Sequence, residues 1–509
     1  LDKKMLNFEK AYGNLTSRLP FAADLARATQ EKVVSRLTML CGGSDDRVFC
    51  RTKIRSINFE ILNDILELCK VHSAGSNASF DILSLSFCIH DVCEQTDYPL
   101  LYVVFQYFIK SKLFSIENLE YVISARKGLK KNILSGSMSG SIHPDEKQFE
   151  ITIDLLNLLH FFFLVETNYT KSIPYHTNVH SASVTQHIVR SFLLLRDLLP
   201  PNSFSEMDSL LWVIATAGHD IRHPGLRKHV LEHFASPIVT KYGLESPLER
   251  HHVAVTLVLL RECAVFRHSE FAIVQRAIFR LILATSLDIQ YEWETGIRAA
   301  NMEEKIDSIW KQYRDSSKSV TLEQSEDGYY FPYNMKELSA LIDSLAIALV
   351  KLSDISGPCR AHSAKMDRVN VYKEFMLEGD MLLACGIVPS RDCRRGEGFD
   401  IYRIEAEIGF LSFVRNLYQA LAESLGKYGG KEIAGVFLPI IDSEKKEFEE
   451  QLLIQKAKDD CVSGVSHLSA QKKKGKESGF DSDPREAPST QAGYLYKADV
   501  SEIQKQNDE

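Results

Sequence analysis

Apolar residues recur at helical spacing along most of this chain, and this periodicity restricts the fold more than any other feature. Between Phe59 and Cys69 the apolar positions are spaced by three or four residues, and similar amphipathic stretches recur to about Leu453. No long alternating pattern typical of strands is found between them. The 509 residues include only 26 glycines and 15 prolines, so little of the chain is obliged to turn. The sequence therefore predicts a compact, multi-helix, all-α fold.

Composition excludes several classes of protein. With 45% hydrophobic and 25% charged residues, the chain has an ordinary globular composition. Sixty basic and 68 acidic residues give a net charge of −8, which leaves no basic excess to hold a nucleic acid polymer. Ten cysteines, spread from Cys41 to Cys461 without a CxxC pair, are typical of reduced thiols in a cytoplasmic protein. The longest apolar run, 158–165, is far shorter than the roughly 20 residues of a membrane-spanning helix.

Changes in composition divide the chain into three expected regions. Residues 1–77 form an N-terminal helical segment, and the small polar stretch Ser73–Ser79 is its linker to the main domain. Because the chain opens without a methionine, we expect a longer upstream region. Membrane association through that region is not excluded. Residues 78–456 form the main domain, with a surface insertion at Gly128–Glu146 between helices. Residues 457–509, rich in charge and poor in large apolar residues, are expected to be a disordered tail.

Histidines four residues apart indicate a metal site. His176 and His180 share one helix face if the segment is helical, as do His219 and His223. Such a pair alone is more often structural than metal-binding, but Asp220 directly follows His219. Imidazole suits a zinc ion, and a neighbouring carboxylate can bridge to a harder ion such as Mg²⁺. The spacing therefore favours a site for two metals.

A carboxylate from a distant part of the chain is needed to close such a site. Asp354 is the candidate, because it follows the apolar helical stretch Leu341–Leu352. A second His-Asp pair, His90 and Asp91, has no HxxxH before it and no Pro-Gly after it. We interpret that pair as a chance occurrence.

Seven short motifs then occur in a fixed order along the chain. They are YHxxxHxxxVxQ (Tyr175 to Gln186), HDxxHPG (His219 to Gly225), LExHH (Leu248 to His252), AT (Ala284, Thr285), DIS (Asp354 to Ser356), FxxxGD (Phe375 to Asp380) and GF (Gly409, Phe410). The series resembles the catalytic domain of the class I cyclic nucleotide phosphodiesterases, in the HD-domain superfamily. The resemblance covers about Ala78 to Leu453, and the divergence between the motifs is closer to protist members than to vertebrate ones.

The resemblance implies a fold, a reaction and a metal centre. The reaction is hydrolysis of a 3′,5′-cyclic nucleotide to the 5′-monophosphate by a hydroxide that two metals activate, as in signal transduction. His180, His219, Asp220 and Asp354 would hold a zinc ion, and Asp220 would bridge to a magnesium or manganese ion. The resemblance is also compatible with a homodimer.

Further roles follow from the same resemblance. His176, one helical turn from His180, would be the general acid that protonates the ribose O3′. His223, Glu249 and Thr285 would lie outside the ligand set and support it. For two of these a structural role is equally compatible, because Thr285 could bond back to its own helix and Glu249 could be a surface charge.

The expected nucleotide pocket departs from the family pattern. Glu407 stands where the family has a glutamine that binds the purine edge, and a carboxylate can only accept hydrogen bonds. Guanine offers N1–H and N2–H₂ as donors, whereas adenine offers the acceptor N1 beside N6, so Glu407 favours cGMP slightly over cAMP. Phe410 and Val371 are expected to clamp the base between them.

Other departures leave alternatives open. These departures from the family motifs are at Arg227, Lys228, Arg250, Ser286 and Gly357. None of them removes a metal ligand. They leave room for a catalytically weak cyclic-nucleotide-binding or scaffold protein that retains the metal site. A different HD-type phosphohydrolase, acting on linear phosphates, would not account for the DIS, FxxxGD and GF motifs.

Overall fold

The helices and strands of the chain were located in a computed structural model. It describes residues 58–75, 77–111, 120–126, 148–196, 198–201, 203–288, 290–319, 334–360, 363–396 and 400–471. The helices are α1 (Phe59–Ala74), α2 (Ile89–Gln95), α3 (Pro99–Ser111), α4 (Leu155–Asn168), α5 (Asn178–Arg196), α6 (Glu206–Gly218), α7 (Lys228–His233), α8 (Pro237–Tyr242), α9 (Pro247–Glu262), α10 (His268–Leu283), α11 (Gln290–Ala299), α12 (Met302–Ser319), α13 (Met335–Asp354), α14 (Ala364–Ala384), α15 (Asp400–Leu425) and α16 (Gly430–Gln471). Short 3₁₀ turns lie at Ala78–Phe80, Gly357–Cys359 and Arg391–Cys393, and the strands are β1 (Glu120–Arg126) and β2 (Gln148–Asp154). The all-α prediction is confirmed.

Three helices form the centre of the core. In α3 every residue from Pro99 to Phe108 is buried, and in α6 every residue from Met207 to Gly218. A helix that is buried on all sides needs helices around it rather than on one face. Helix α5 packs against both α3 and α6. The first turn of α5, where His180 lies, is therefore held on a rigid scaffold.

A β-hairpin lies where the sequence predicted only helices. Strands β1 and β2 pair antiparallel, from Glu120 opposite Asp154 to Arg126 opposite Gln148. The expectation that helices flank the insertion at Gly128–Glu146 was wrong. The element on each side of the insertion is a strand, and each strand is seven residues long. So short an alternation is hard to distinguish from a helical pattern. The insertion itself lies outside the described residues.

The first helix belongs to the main core. Cys69 of α1 is fully buried and its thiol donates to the Tyr102 carbonyl of α3 at 3.6 Å. In the last turn of α1 the His72 ring stacks on Phe80, which lies beyond the helix, with ring centroids 3.9 Å apart. The predicted linker therefore does not separate this helix from the main domain, and residues 1–57 lie outside the described part of the chain.

The last helix extends past the predicted boundary at residue 456. Helix α16 packs along α15 and continues to Gln471. Residues 457–471 include Gly464, three serines and two aspartates, which are not strong helix formers, so intrinsic propensity does not account for the extension. The extension continues a helix that is already formed on α15. The first part of the expected tail, residues 457–471, is therefore helical, and residues 472–509 lie outside the described ones.

Two expectations from composition can be compared with the described residues. Every cysteine for which the structure gives a state is a free thiol. Among the described helices, none is both long enough and apolar enough to cross a bilayer.

Candidate metal and catalytic site

The four predicted metal ligands lie at helix ends that meet. His180 is in the first turn of α5, His219 caps the C-terminal end of α6 and is followed by Asp220, and Asp354 is the last residue of α13. Both α6 and α13 pack against α5 and against each other. Residues that are 174 positions apart in sequence are therefore brought together by helix packing.

The ligand atoms of these residues converge on one point. The Nε2 atom of His180 lies 3.2 Å from Asp354 Oδ1, 3.3 Å from His219 Nε2 and 3.5 Å from Asp220 Oδ2. The Nε2 atom of His219 lies 3.2 Å from Asp220 Oδ2 and 3.3 Å from Asp354 Oδ1. Two imidazole nitrogens and two carboxylate oxygens at such spacing fit the tetrahedral preference of zinc.

Hydrogen bonding and charge prepare His219 for this role. Its Nδ1 lies 2.8 Å from the Thr216 carbonyl, which can only accept, so the proton is assigned to Nδ1 and Nε2 faces the cluster. Burial opposes a charge on His219, but Asp220 and Asp354 outweigh it and raise its pKa well above the ordinary value. Burial likewise opposes ionisation of Asp354, yet His180 and His219 hold its pKa well below the usual range. A cation can therefore replace the proton of His219 in the cluster.

His252 provides a nitrogen beside the second oxygen of Asp220. Its Nδ1 lies 2.7 Å from the Ile221 carbonyl, and its buried Nε2 has no hydrogen-bond partner. That Nε2 lies 3.6 Å from Asp220 Oδ1, and burial lowers the pKa of His252 to about 4. A neutral nitrogen facing the outer Asp220 oxygen leaves room for a second cation. Sequence reasoning quoted His252 in the LExHH motif but gave it no role.

His176 is bound by a carboxylate that sequence reasoning missed. Its Nδ1 lies 2.5 Å from Glu374 Oε1, and the backbone N–H of Tyr175 donates to Glu374 Oε2 at 3.0 Å. Burial alone would lower the pKa of His176, but the charge and hydrogen bond of Glu374 raise it to about 9. The imidazolium is therefore the main form at neutral pH, as a proton donor requires. No spacing in the sequence marks Glu374, which directly precedes the FxxxGD motif.

His223 lies against His176 in a fixed orientation. The two rings are stacked with centroids 4.0 Å apart, and the backbone N–H of Gly225 donates to His223 Nδ1 at 2.9 Å. The φ of Gly225 is +68°, a conformation that glycine adopts without strain. Burial and the charge of His176 hold the pKa of His223 well below its ordinary value, so the neutral ring carries its proton on Nε2.

Thr285 and Glu249 differ in how far they support the expected roles. The Thr285 hydroxyl donates to the Ile282 carbonyl at 2.8 Å, which is the structural alternative considered above. The carbonyl of Thr285 accepts from the fully buried ammonium of Lys351 at 2.6 Å. Burial raises the pKa of Glu249 to about 7, and the charges of Asp288 and, to a smaller extent, Asp220 add to this effect. Glu249 is partly exposed, and its supporting role stays a prediction.

The expected nucleotide pocket contains an ion pair that the sequence did not indicate. Arg368 Nε donates to Glu407 Oε1 at 2.9 Å, and the Tyr372 hydroxyl donates to Glu407 Oε2 at 3.0 Å. Tyr372 directly follows Val371, and Phe410 is 37% exposed one turn after Glu407. Both carboxylate oxygens of Glu407 therefore already accept hydrogen bonds from the protein.

The second His-Asp pair lies apart from the cluster. His90 Nε2 lies 3.1 Å from Asp367, and neither His90 nor Asp91 belongs to a group that could hold a metal ion within the described residues. Its interpretation as a chance pair stays a prediction.

Comparison with known proteins identifies the family of the chain. A family model described as 3′,5′-cyclic nucleotide phosphodiesterase matches residues 175–430, which contain every residue of the site described above. The high affinity cAMP-specific and IBMX-insensitive 3′,5′-cyclic phosphodiesterase 8A of mouse is 27% identical over 209 residues, and the human protein of that name is 26% identical over 206. These matches cover 39% of this chain and 23% of each relative.

Two further comparisons agree. The rat 3′,5′-cyclic-AMP phosphodiesterase 4C is 27% identical over 168 residues, or 32% of this chain and 30% of that protein, so the chain spans about a quarter of the length of these relatives. The phosphodiesterase domain of the RhoPDE fusion protein of the choanoflagellate Salpingoeca rosetta has the same fold, with a TM-score of 0.52 and 17% identity over 76% of this chain and 99% of that one. The chain therefore belongs to the 3′,5′-cyclic nucleotide phosphodiesterase family.

Proposed function

We propose that this chain hydrolyses a 3′,5′-cyclic nucleotide to the 5′-nucleoside monophosphate. One observation carries the proposal: a histidine kept protonated by a buried carboxylate lies beside a cluster of two imidazoles and two carboxylates. The rings of His176 and His180 are 5.8 Å apart, and Glu374 raises the pKa of His176 to about 9. A site that only binds a nucleotide has no evident need for this proton donor.

The residues of the cluster fit two divalent cations. His180, His219, Asp220 and Asp354 would hold a zinc ion, and the outer oxygen of Asp220 would take part in holding a magnesium or manganese ion. The unpartnered Nε2 of His252 supports a cation at this second position. When bound, such ions supply an activated water and neutralise charge on the phosphoryl oxygens.

The protein side chains supply the remaining steps. Water forms the new bond to phosphorus and loses a proton to the solvent, the bond between phosphorus and O3′ breaks, and His176 gives its proton to O3′ as the leaving group and regains one from the solvent. The Nε2–H of His223 donates a hydrogen bond to a phosphoryl oxygen from its stacked position beside His176. Glu374 stays ionised throughout and holds His176 in place.

The base is held between Phe410 and Val371, with little discrimination by Glu407. The preference for cGMP expected from the sequence required a carboxylate with free oxygens, and both oxygens of Glu407 accept from Arg368 and Tyr372. The relatives named above are described as acting on cAMP. We therefore take cAMP as the first substrate and expect it to be hydrolysed at least as efficiently as cGMP.

The test is turnover by the purified chain with Zn²⁺ and either Mg²⁺ or Mn²⁺. cAMP, cGMP and a linear nucleoside triphosphate are compared at equal concentration, and the 5′-monophosphate is measured. Hydrolysis of the cyclic substrates alone supports the proposal, whereas hydrolysis of the triphosphate alone favours a different HD-type phosphohydrolase. Tight binding of cyclic nucleotide without product over hours would establish the binding or scaffold alternative instead.

A further inference from the structure

We infer that Glu378 is a positioning residue for the reaction, because its ion pair with Arg227 fixes the loop of His223 against α14. Helix α14 also carries Glu374, which binds His176. The inference rests on the function proposed above. Neither Glu378 nor Arg227 touches the cluster of metal ligands. Both act through the HPG loop, here residues 223–227, which connects the end of the HDxxHPG motif to α7.

One carboxylate binds Arg227 at two points. Glu378 is 1% exposed, and its Oε2 accepts from the backbone N–H of Arg227 at 2.7 Å. Its Oε1 accepts from Arg227 Nε at 2.8 Å. A paired backbone and side-chain contact fixes both the position and the rotation of the residue. The end of the HPG loop is therefore fixed to α14 and cannot slide along it.

Two carboxylates on one face of α14 fix the positions of His176 and His223, the two histidines whose rings are stacked. Glu374 and Glu378 are four residues apart on α14, so their side chains lie one above the other. Glu374 binds His176 directly, while Glu378 binds the loop that begins at His223. The spacing of the two carboxylates on α14 thus determines how the two rings meet.

The loop transmits this constraint to the His223 ring over a short path. The backbone N–H of Gly225 donates to His223 Nδ1, and Arg227 is only two residues further on. If Arg227 moved, the left-handed turn at Gly225 would move with it. The hydrogen bond that places the proton of His223 on Nε2 would then be lost or weakened.

A third element leaves the ion pair little freedom. The Arg227 guanidinium donates to Ser390 Oγ at 3.0 Å and to Cys393 Sγ at 2.7 Å. Ser390 and Cys393 lie at the 3₁₀ turn Arg391–Cys393, whose backbone packs closely against α14. At Gly379 of α14 there is no room for a side chain, since an added Cβ would lie 2.0 Å from the Cys393 carbonyl oxygen. Detachment of the loop would leave Glu378 charged and buried without its partner, which is strongly unfavourable.

Steady-state kinetics of the metal-loaded enzyme test the inference. Glu378→Gln keeps the shape of the side chain but removes its charge. We expect kcat to fall about 10-fold or more, with KM changed by less than about twofold. Arg227→Gln should have at least the same effect, and the double variant should recover part of it, because two amides can hydrogen-bond to each other. Asp442→Asn, which breaks the exposed pair between Asp442 and Arg415, is the matched control and should leave kcat unchanged.

A cycle with His223→Asn separates positioning from general stability. If Glu378 acts through His223, the Glu378→Gln change should cost nothing further in kcat in the His223→Asn background. An equal additional loss in that background would overturn the inference, as would an unchanged kcat in Glu378→Gln alone. Melting temperatures of all variants show whether any loss of activity follows unfolding.

A second readout does not require turnover. In protein labelled with ¹⁵N-histidine, the ring signals of His223 are those that disappear in the His223→Asn variant. We expect the wild-type ring to be protonated on Nε2 and the Glu378→Gln ring to exchange between tautomers. Unchanged His223 signals in Glu378→Gln would refute the positioning role. A wild-type chain that hydrolyses no cyclic nucleotide would refute the proposed function alone, because the ring signals would still decide the role of Glu378.

Discussion

The metal cluster and the base pocket differ in how their polar groups are satisfied. In the cluster, imidazole nitrogens and carboxylate oxygens face one another, and the buried Nε2 of His252 has no hydrogen-bond partner. In the base pocket, Arg368 and Tyr372 already bind both oxygens of Glu407. A buried polar group without a hydrogen-bond partner is stabilised when a ligand binds to it, whereas polar groups that hydrogen-bond to each other are already satisfied. On the function proposed above, we therefore expect the chain to bind cations strongly and to discriminate bases weakly.

The largest expected effect is at the cluster itself. His219→Ala removes a nitrogen that lies within 3.3 Å of His180, Asp220 and Asp354, so the carboxylates lose the imidazole that faces them. We expect turnover to fall by about 10³-fold or more, and bound zinc, measured by elemental analysis, to fall with it. His90→Ala, at a histidine outside the cluster, should retain zinc. Unimpaired hydrolysis by His219→Ala would contradict both the metal assignment and the proposed reaction.

The ligand residues were found from their motifs, but the helix argument behind them was wrong. His176 precedes α5, and His219 and His223 follow α6 with Arg222 in a left-handed conformation, so neither histidine pair lies on one helix. The short spacing keeps each pair close in space, and the packing of α5, α6 and α13 brings the ligands together. Asp354 needed one further step, from its position at the end of an apolar helix. Glu374 could not be found in this way, because its partner His176 is 198 residues distant and nothing in its own segment distinguishes it from a solvated glutamate.

A smaller effect is expected one contact away from the cluster. Glu374→Gln removes the charge that raises the pKa of His176 to about 9, so burial should then lower this pKa. His176 would lose its proton at a lower pH, and the alkaline limb of the kcat profile should move to lower pH. At neutral pH we expect a fall in kcat of about 10- to 100-fold. An alkaline limb that stays in place would show that another group donates the proton.

A third prediction concerns His187, a buried histidine that is not one of the predicted metal ligands. His187 is buried on α5, and burial together with the charges of Arg360 and Arg190 holds its pKa well below the ordinary value. Below about pH 6.5 the unfolded chain binds a proton at this residue and the folded chain does not, so stability falls as the pH falls. The contribution should be about 1 kcal/mol between pH 7.5 and 5.5.

Denaturant unfolding at both pH values measures this contribution. His187→Gln keeps a polar partner for the Tyr418 hydroxyl, which lies 3.4 Å from His187 Nε2. The variant should lose less stability than the wild type between pH 7.5 and 5.5, whatever its stability at neutral pH. Equal losses in the two proteins would mean that His187 is protonated in the folded state.

The limits of the sequence analysis of the fold have the same origin as those of the site. Helical periodicity over ten or more residues predicted the architecture, because it averages over many positions. The seven-residue strands β1 and β2 are too short for such averaging, and they become strands by pairing with each other. The domain boundaries were also set by packing: α1 is held by α3, and α16 is held by α15.

The smallest expected effect is at Glu407, and it tests the other half of the comparison. If Arg368 and Tyr372 hold this carboxylate away from base recognition, Glu407→Gln should change the ratio of kcat/KM for cAMP and cGMP by about threefold or less. A carboxylate that accepts directly from guanine would contribute a charged hydrogen bond, and its loss would change the ratio about 10-fold or more. Competition between the two nucleotides in one reaction gives the ratio directly, with Asp442→Asn as the control for an exposed pair between α15 and α16. A large change would show that the base displaces Arg368 or Tyr372 from Glu407, so that the base pocket, like the metal cluster, is completed only by its ligand.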